Sequence, residues 1–179
     1  DPGTDGGPRR DPPEQLNRSW EAQKAEERRD RGLHSAMDDI PRGLAPLLRA
    51  GKLQKRAAGQ GFDWSAVPPV LDKLQEEIDE LERARAIESS AERRAAIRHE
   101  LGDVLFTCVN LARKLEVDPE IALVEANMRF ERRYRAMERA ALAAGNALAE
   151  LDDAERERLW EQAKLHIEQA SVPEADQDR

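Results

Sequence analysis

His99-Glu100-Leu101-Gly102-Asp103-Val104-Leu105-Phe106-Thr107-Cys108-Val109-Asn110-Leu111-Ala112 reads as one continuous helix. At about 100° per residue, Leu101, Val104, Leu105, Phe106, Cys108, Val109 and Leu111 cover most of its circumference. A helix apolar on nearly every side is a buried helix. Glu100, Asp103, Thr107 and Asn110 nevertheless share one stripe about 80° wide. Burying a carboxylate is costly unless it is paired or holds a cation. The stripe therefore predicts a site rather than a solvated surface.

Upstream, Val67, Val70, Leu71, Leu74, Ile78 and Leu81 repeat with helical spacing and predict a second core-facing helix. Lys73, Glu77 and Glu80 fall along one edge of its apolar face, at the rim of the core. Glu76 and Glu82 point further out and read as solvated charges, Glu76 retaining a possible supporting role behind the ligands. Glu77 with Glu80, and Glu100 with Asp103, are each spaced three apart and so share a helical face. Two such faces brought together form the oxygen cage that Mg²⁺ takes, and Mg²⁺ is the usual partner of chemistry on nucleotide phosphates. The competing reading is ordinary surface charge, because charged residues make up 37% of the chain.

Composition sets the class. Aromatic residues are only 4% of 179, Ala, Arg, Glu and Leu abound, and β-branched residues are scarce, which predicts an all-α protein. The formal net charge of −8 argues against broad binding to nucleic acid or an anionic membrane. An acidic protein acting on polyphosphates needs cations at its site. The sequence contains no apolar run of about 18 residues and no signal-peptide pattern. The single cysteine, Cys108, is read as a small core residue and fits a reducing cytoplasm. The first residue is Asp1, not Met, which suggests a fragment or a processed chain.

Residues 1–15 read as a flexible linker, 16–58 as a helical interdomain segment, 59–172 as the catalytic domain and 173–179 as a disordered tail. A charged spacer helix is expected from about Arg18 to Arg31, ended by Gly32. Asp38 or Asp39 is expected to cap the next helix, with Pro41 in its first turn and Pro46 as a kink. Ser65 is expected to cap the Val67 helix, with Pro68 and Pro69 in its first turn. The helix bearing Glu100 should run from about Ala91 to Leu115, and Asp118-Pro119 should open another to about Ala143. Gly145-Asn146 breaks the chain, and Asp152 or Asp153 caps a last helix ending before Pro173.

Other chemistries find little support. His34, His99 and His166 show no metal-ligand spacing, and neither a phosphate-cradling glycine loop nor a nucleophile elbow is present. Arg129, Arg132 and Arg133 form a basic cluster on one helix, readable as ion pairs to Glu125 and Glu131 or as a phosphate clamp. Trp160 and Lys164, four apart, share a helical face. Trp160 beside Leu159, Ala163 and Ile167 reads either as core or as a base-stacking platform.

Several runs, in order, resemble MazG-type nucleoside triphosphate pyrophosphohydrolases. They are Asp39-Ile40-Pro41-Arg42-Gly43-Leu44, Lys52-Leu53-Gln54-Lys55-Arg56-Ala57-Ala58, Gly61-Phe62-Asp63-Trp64 and Lys73-Leu74-Gln75-Glu76-Glu77-Ile78-Asp79-Glu80. Further along are Glu100-Leu101-Gly102-Asp103-Val104-Leu105-Phe106, Asn110-Leu111-Ala112-Arg113 and Asn127-Met128-Arg129-Phe130-Glu131-Arg132-Arg133-Tyr134. The resemblance spans roughly residues 17–170.

That resemblance implies an all-α, four-helix-bundle-like fold working as a homodimer. It implies Mg²⁺-dependent cleavage of nucleoside triphosphates between the α- and β-phosphates, releasing a monophosphate and pyrophosphate, as house-cleaning of the nucleotide pool. Glu77, Glu80, Glu100 and Asp103 match the family's metal-holding, catalytic carboxylates. Lys73, Arg129, Arg133, Trp160 and Lys164 match its nucleotide-contacting positions, Arg129 standing where lysine is commoner. Glu76 and Asn110 are candidates for a supporting role behind the ligands. Longer relatives carry two related domains, and this chain would hold the second with the end of the preceding connection. In this scheme water is the nucleophile, a carboxylate takes its proton, and no covalent intermediate forms. The alternatives are a narrower deoxynucleotide pyrophosphatase and a non-catalytic helical dimerisation module.

Overall fold

A computed structural model of the chain describes residues 30–170 together with Gln23, Glu26 and Glu27. The expected linker at 1–15 and tail at 173–179 lie outside the described residues. So does most of the expected Arg18–Arg31 helix, of which Gln23, Glu26, Glu27 and Asp30 are described and helical. The fold is all-α: beyond those residues, the described part of the chain has five α-helices, one short 3₁₀ turn and no strand. The chain divides into two compact units, residues 1–119 and 120–179.

The first unit contains α1 (Pro46–Gly59), α2 (Val67–Arg85) and α3 (Ser90–Lys114). Helix α1 starts at Pro46, so this proline opens the helix instead of kinking it. Its fixed φ and missing N–H suit the first turn, where no intrahelical acceptor exists. Asp38 does not cap a helix; its Oδ2 accepts from the backbone N–H groups of His34, 3.0 Å, and Ser35, 2.8 Å, closing a turn. Asp39 takes a left-handed backbone, φ 72°, and lies 3.9 Å from Arg56. Helix α2 has Pro68 and Pro69 in its first turn, but its N-cap is Ala66 and not Ser65, and no side chain caps it. The prolines compensate, because they remove N–H groups that would otherwise need capping. Ser89 caps α3 by accepting from Glu92 N at 3.5 Å.

The short 86–89 connection makes α2 and α3 antiparallel neighbours, and α1 lies across α3. Val70, Ala84 and Val109 are buried at the helix contacts. A Cβ built on Gly51 would meet Val109 Cγ1 at 3.8 Å, so α1 sits close on α3.

Helix α3 is less buried than its sequence predicts. Thr107, Val109 and Asn110 are buried, whereas Leu101, Leu105 and Phe106 are exposed by 45%, 53% and 43%. Cys108 is also exposed, which corrects its reading as a core residue. The physical reason is simple. Within the unit, α1 and α2 cover only part of the α3 circumference, and periodicity reports that an apolar face wants cover without saying what supplies it.

The second unit contains α4 (Pro119–Ala143), a 3₁₀ turn (Leu148–Glu150) and α5 (Asp153–Ala170). Gly145, at φ 81°, breaks the chain after α4. Asp152 Oδ1 accepts from Glu155 N at 2.8 Å and Glu155 Oε2 accepts from Asp152 N at 3.4 Å, a reciprocal capping box for α5. Met137, Ala141, Leu151, Leu159 and Ala163 form its core, with Ala136, Leu148 and Trp160 packed against it. Helix α4 leaves Ile121, Val124 and Met128 exposed along one side, and Phe130 exposed on the side that meets Trp160.

Candidate metal and nucleotide site

Ligand-competent oxygens of Glu77, Glu80 and Glu100 lie within 4.8 Å of one another. Glu77 and Glu80 come from successive turns of α2, and Glu100 comes from the facing turn of α3. Glu77 is buried, at 5% exposure, and the other two are half-buried. Three carboxylates concentrated at a helix junction repel one another unless a cation neutralises them. All the donors are hard oxygens, and side-chain positions on two packed helices leave room for water ligands, a set that fits Mg²⁺.

One fixed cation is already there. Lys73 Nζ lies 2.9 Å from Glu77 Oε1 and 3.0 Å from Glu76 Oε1. Hydrogen bonds to Glu77 and then Glu76 hold the ammonium above its usual titration range. Glu76, itself exposed, thus acts on Lys73, and through Lys73 it adjoins the cluster.

Asp103 lies outside this convergence. Its Oδ2 is 3.6 Å from His99 Nδ1, one turn back on α3, and its side chain is 44% exposed. The spacing from Glu100 places both on one face of α3, but only Glu100 meets Glu77 and Glu80. Asn110 is buried, and its Oδ1 accepts from Arg113 Nη2 at 2.6 Å. Its described partner is therefore the arginine, at the far end of the polar stripe from Glu100.

Arg113 belongs to an arrangement that the sequence did not disclose. Its Nη1 donates to Asp63 Oδ2 at 3.1 Å, its Nη2 donates to Asp63 Oδ1, and Lys114 Nζ donates to Asp63 Oδ2 at 2.6 Å. Lys114 also donates to the Trp64 carbonyl. These bonds latch the 60–64 loop to the C-terminal end of α3. Partial burial pushes the Asp63 carboxyl upward, but the bonds from Arg113 and Lys114 outweigh it and bring the pKa down to about 2. The Gly61-Phe62-Asp63-Trp64 run hinted at a fixed turn, yet no spacing rule links it to residues 50 positions away.

The second unit carries the other predicted residues. Arg133 Cζ lies 5.7 Å from the centroid of the Trp160 ring, within cation–π range. Phe130 lies 5.6 Å from Trp160 and 6.1 Å from Tyr134. Trp160 also packs on the core cluster, so it is a structural side chain with one face engaged by a guanidinium. Arg129 lies 3.9 Å from Glu125, and Lys164 Nζ donates to Glu161 at 2.8 and 3.0 Å. These exposed pairs are weak and can reopen for another anion.

Comparison with known proteins agrees with this architecture. The MazG nucleotide pyrophosphohydrolase domain matches residues 69–136, a span that includes the acidic cluster. The chain is 48% identical over 147 residues to a nucleoside triphosphate pyrophosphohydrolase of Escherichia coli (strain K12), covering 81% of this chain and 54% of that protein. It is 35% identical over 154 residues to the nucleoside triphosphate pyrophosphohydrolase/pyrophosphatase MazG of Thermotoga maritima, covering 86% of this chain and 57% of the relative. The uncharacterized protein YabN of Bacillus subtilis is 37% identical over 146 residues, which cover 29% of its length. This chain thus spans about half the length of the first two relatives. Residues 69–136 thus match the MazG domain, within a longer stretch similar to proteins named as nucleoside triphosphate pyrophosphohydrolases.

Proposed function

We propose that this chain hydrolyses nucleoside triphosphates between the α- and β-phosphates, releasing a nucleoside monophosphate and pyrophosphate. The observation that carries the proposal is the convergence of Glu77, Glu80 and Glu100 oxygens within 4.8 Å. The likeness to two proteins named as nucleoside triphosphate pyrophosphohydrolases supports the reaction class.

In this reading Glu77, Glu80 and Glu100 hold Mg²⁺, joined by Asp103 once its side chain leaves His99. Bound there, the ion would supply charge neutralisation and an acidified water. The chain's own residues do the rest. A carboxylate oxygen free of metal accepts the proton of the attacking water. Lys73 exchanges a carboxylate for a phosphate oxygen, its length and flexibility making the swing inexpensive. Arg129, Arg133, Trp160 and Lys164 contact the nucleotide, and Trp160 keeps the Arg133 guanidinium flat and aimed. Each cation stabilises charge that grows on the phosphates in the transition state.

The working form is a homodimer. The exposed apolar residues of α3 support this, as, separately, do those of α4, because exposed apolar surface needs cover. Removal of unwanted nucleotides from the cytoplasmic pool is the biological role that suits a hydrolase of this chemistry. No helix among the described residues is long and apolar enough to cross a membrane. The test is pyrophosphate release from a panel of triphosphates, with Mg²⁺ and with chelator. Release of monophosphate and pyrophosphate only with metal supports the proposal, and release of inorganic phosphate and diphosphate contradicts it.

A further inference from the structure

The first unit contains a recess of about 350 Å³ whose walls are held with very different firmness. Leu53 and Gln54 come from α1, and Phe106 and Asn110 come from α3. Gln54 Nε2 donates to the Phe106 carbonyl at 2.7 Å and ties these two helices together. Trp64 belongs to the 60–64 loop, which the bonds of Asp63 to Arg113 and Lys114 hold in place. Met37 also lines the recess, but it lies in neither a helix nor a latched loop.

Met37 is carried by a turn that makes its own shape. The N–H groups of His34 and Ser35 donate to Asp38 Oδ2 at 3.0 and 2.8 Å. The Asp38 N–H donates to the Ser35 carbonyl, and the Met37 N–H to Ser35 Oγ, each at 3.1 Å. A left-handed residue stands on either side, Gly32 at φ 72° and Asp39 at φ 72°. A Cβ at Gly32 would meet nothing within 4 Å, so glycine serves the backbone there and not the packing. Asp39 adopts the same region without that freedom, and such residues gather at switch segments. A self-contained turn between two such positions moves as a body, because hinges are the few residues that absorb a change of φ and ψ.

The turn is held down lightly. Arg56 of α1 donates from Nη1 to the Ala36 carbonyl at 3.2 Å, and its Nη2 lies 3.9 Å from Asp39. Arg31, itself exposed, lies 3.7 Å from Asp39. Contacts of these kinds are individually weak. Downstream, Ile40 is buried at 8% exposure and fixes the far end. Met37 is 41% exposed, and its unbranched side chain adapts to an irregular gap.

We propose that residues 33–38 form a strap that swings on Gly32 and Asp39, is clamped by Arg56, and closes Met37 over the recess when a triphosphate is bound. This rests on the proposed triphosphate hydrolysis and adds a gate to it. Through Asn110 the recess adjoins the polar stripe of α3 that begins at Glu100, so the strap controls entry beside the helix that carries the acidic cluster. Closure excludes water and retains what has entered. Arg56 is a positioning residue, since it touches the strap and not the substrate.

The experiment is amide hydrogen exchange by mass spectrometry on the full chain with Mg²⁺, with and without saturating α,β-methylene triphosphates of the common bases. Nucleotide should slow exchange at 34–39 by about tenfold, and more than it slows α1. Arg56→Met keeps the stem and removes the clamp. Without nucleotide it should speed exchange at 34–39 by about tenfold, the scale of one lost hydrogen bond, and it should raise KM more than it lowers kcat. Arg56→Lys, which retains a cation and a donor, should recover part of both. Met37→Ala leaves the clamp intact and should raise KM without speeding exchange, which covers the case of an Arg56 variant that does not fold. Faster exchange throughout α1 in Arg56→Met would make Arg56 a structural residue and overturn the strap. Unchanged exchange at 34–39 with every nucleotide would also overturn it, and hydrolysis seen alongside would leave the activity standing. Slowed exchange at 34–39 without any hydrolysis would keep the strap and remove the activity.

Discussion

Lys73 Nζ lies 2.9 Å from Glu77 Oε1, so the most buried carboxylate of the acidic cluster already has a fixed counterion. Glu77 is tolerable inside the helix junction because an ammonium one turn away on the same helix neutralises it. A metal ion would compete for that carboxylate, and the lysine would be released toward whatever negative charge arrives with it.

Lys73→Met keeps the stem of the side chain and removes its charge. We expect it to lower stability by about 1 kcal/mol, less than for a fully buried pair because Lys73 is partly exposed. Mg²⁺ should raise the melting temperature of this variant more than that of the parent, since the ion then has no competitor. Thermal denaturation with and without Mg²⁺ checks both points. Equal metal responses would mean that Lys73 and the ion do not share Glu77.

The latch at Asp63 predicts a particular acid sensitivity. The Arg113 and Lys114 bonds hold its carboxyl at a pKa of about 2 in the folded chain, below the usual aspartate value. The folded value is depressed, so the stabilisation is present above about pH 4 and is lost as pH falls toward 2. Solvent screens this accessible pair, so the latch contributes about 1 kcal/mol. Urea unfolding at pH 7 and pH 3 should show the parent losing this stability and Asp63→Asn starting lower and losing less. Parallel losses in the two proteins would show that the latch contributes nothing in that window.

How far the sequence could carry these conclusions differs from residue to residue. The periodicity of 67–81 and 99–112 predicted helices that the structure contains, because apolar spacing follows directly from 3.6 residues per turn. The all-α class followed from the same patterns and from composition. The exposure of Leu101, Leu105, Phe106 and Cys108 did not, since a helical wheel shows a face without showing its cover. The helix expected at Pro41 begins at Pro46, and the Val67 helix begins where expected but without the Ser65 cap, because proline satisfies a first turn as well as a capping side chain does. Glu77, Glu80 and Glu100 are drawn together by helix packing, whereas Asp103, on the same sequence pattern, turns to His99. The Gln54 and Asp63 interactions join residues about 50 positions apart, and no local rule reaches that distance.

Arg133 lies over Trp160, and each should respond to its own test. Arg133→Ala should weaken triphosphate binding more than monophosphate binding, because the loss scales with phosphate charge. Trp160→Ala should lower the melting temperature, because the ring packs on the Met137–Ala163 core, and should also weaken nucleotide binding by disordering Arg133. Calorimetry with a nonhydrolysable triphosphate and with a monophosphate measures both. Equal losses for the two ligands in Arg133→Ala would remove the arginine from the phosphate contacts.

The exposed face of α3 predicts self-association. The parent should sediment as a dimer at micromolar concentration, and Leu105→Glu, which buries a charge in any such contact, should shift it toward monomer. A monomeric parent would leave the apolar face unexplained by a second copy.

The most direct measurement of the central claim is Mg²⁺-dependent pyrophosphate release by Glu100→Gln beside the parent. The amide keeps the shape of the side chain and removes the charge a hard cation needs. The account predicts a rapid parent and a variant slower by about 100-fold or more, with unchanged helical circular dichroism, since loss of a ligand exceeds the 10–100-fold typical of its supporting partners. Near-normal turnover by Glu100→Gln at saturating Mg²⁺ would contradict it.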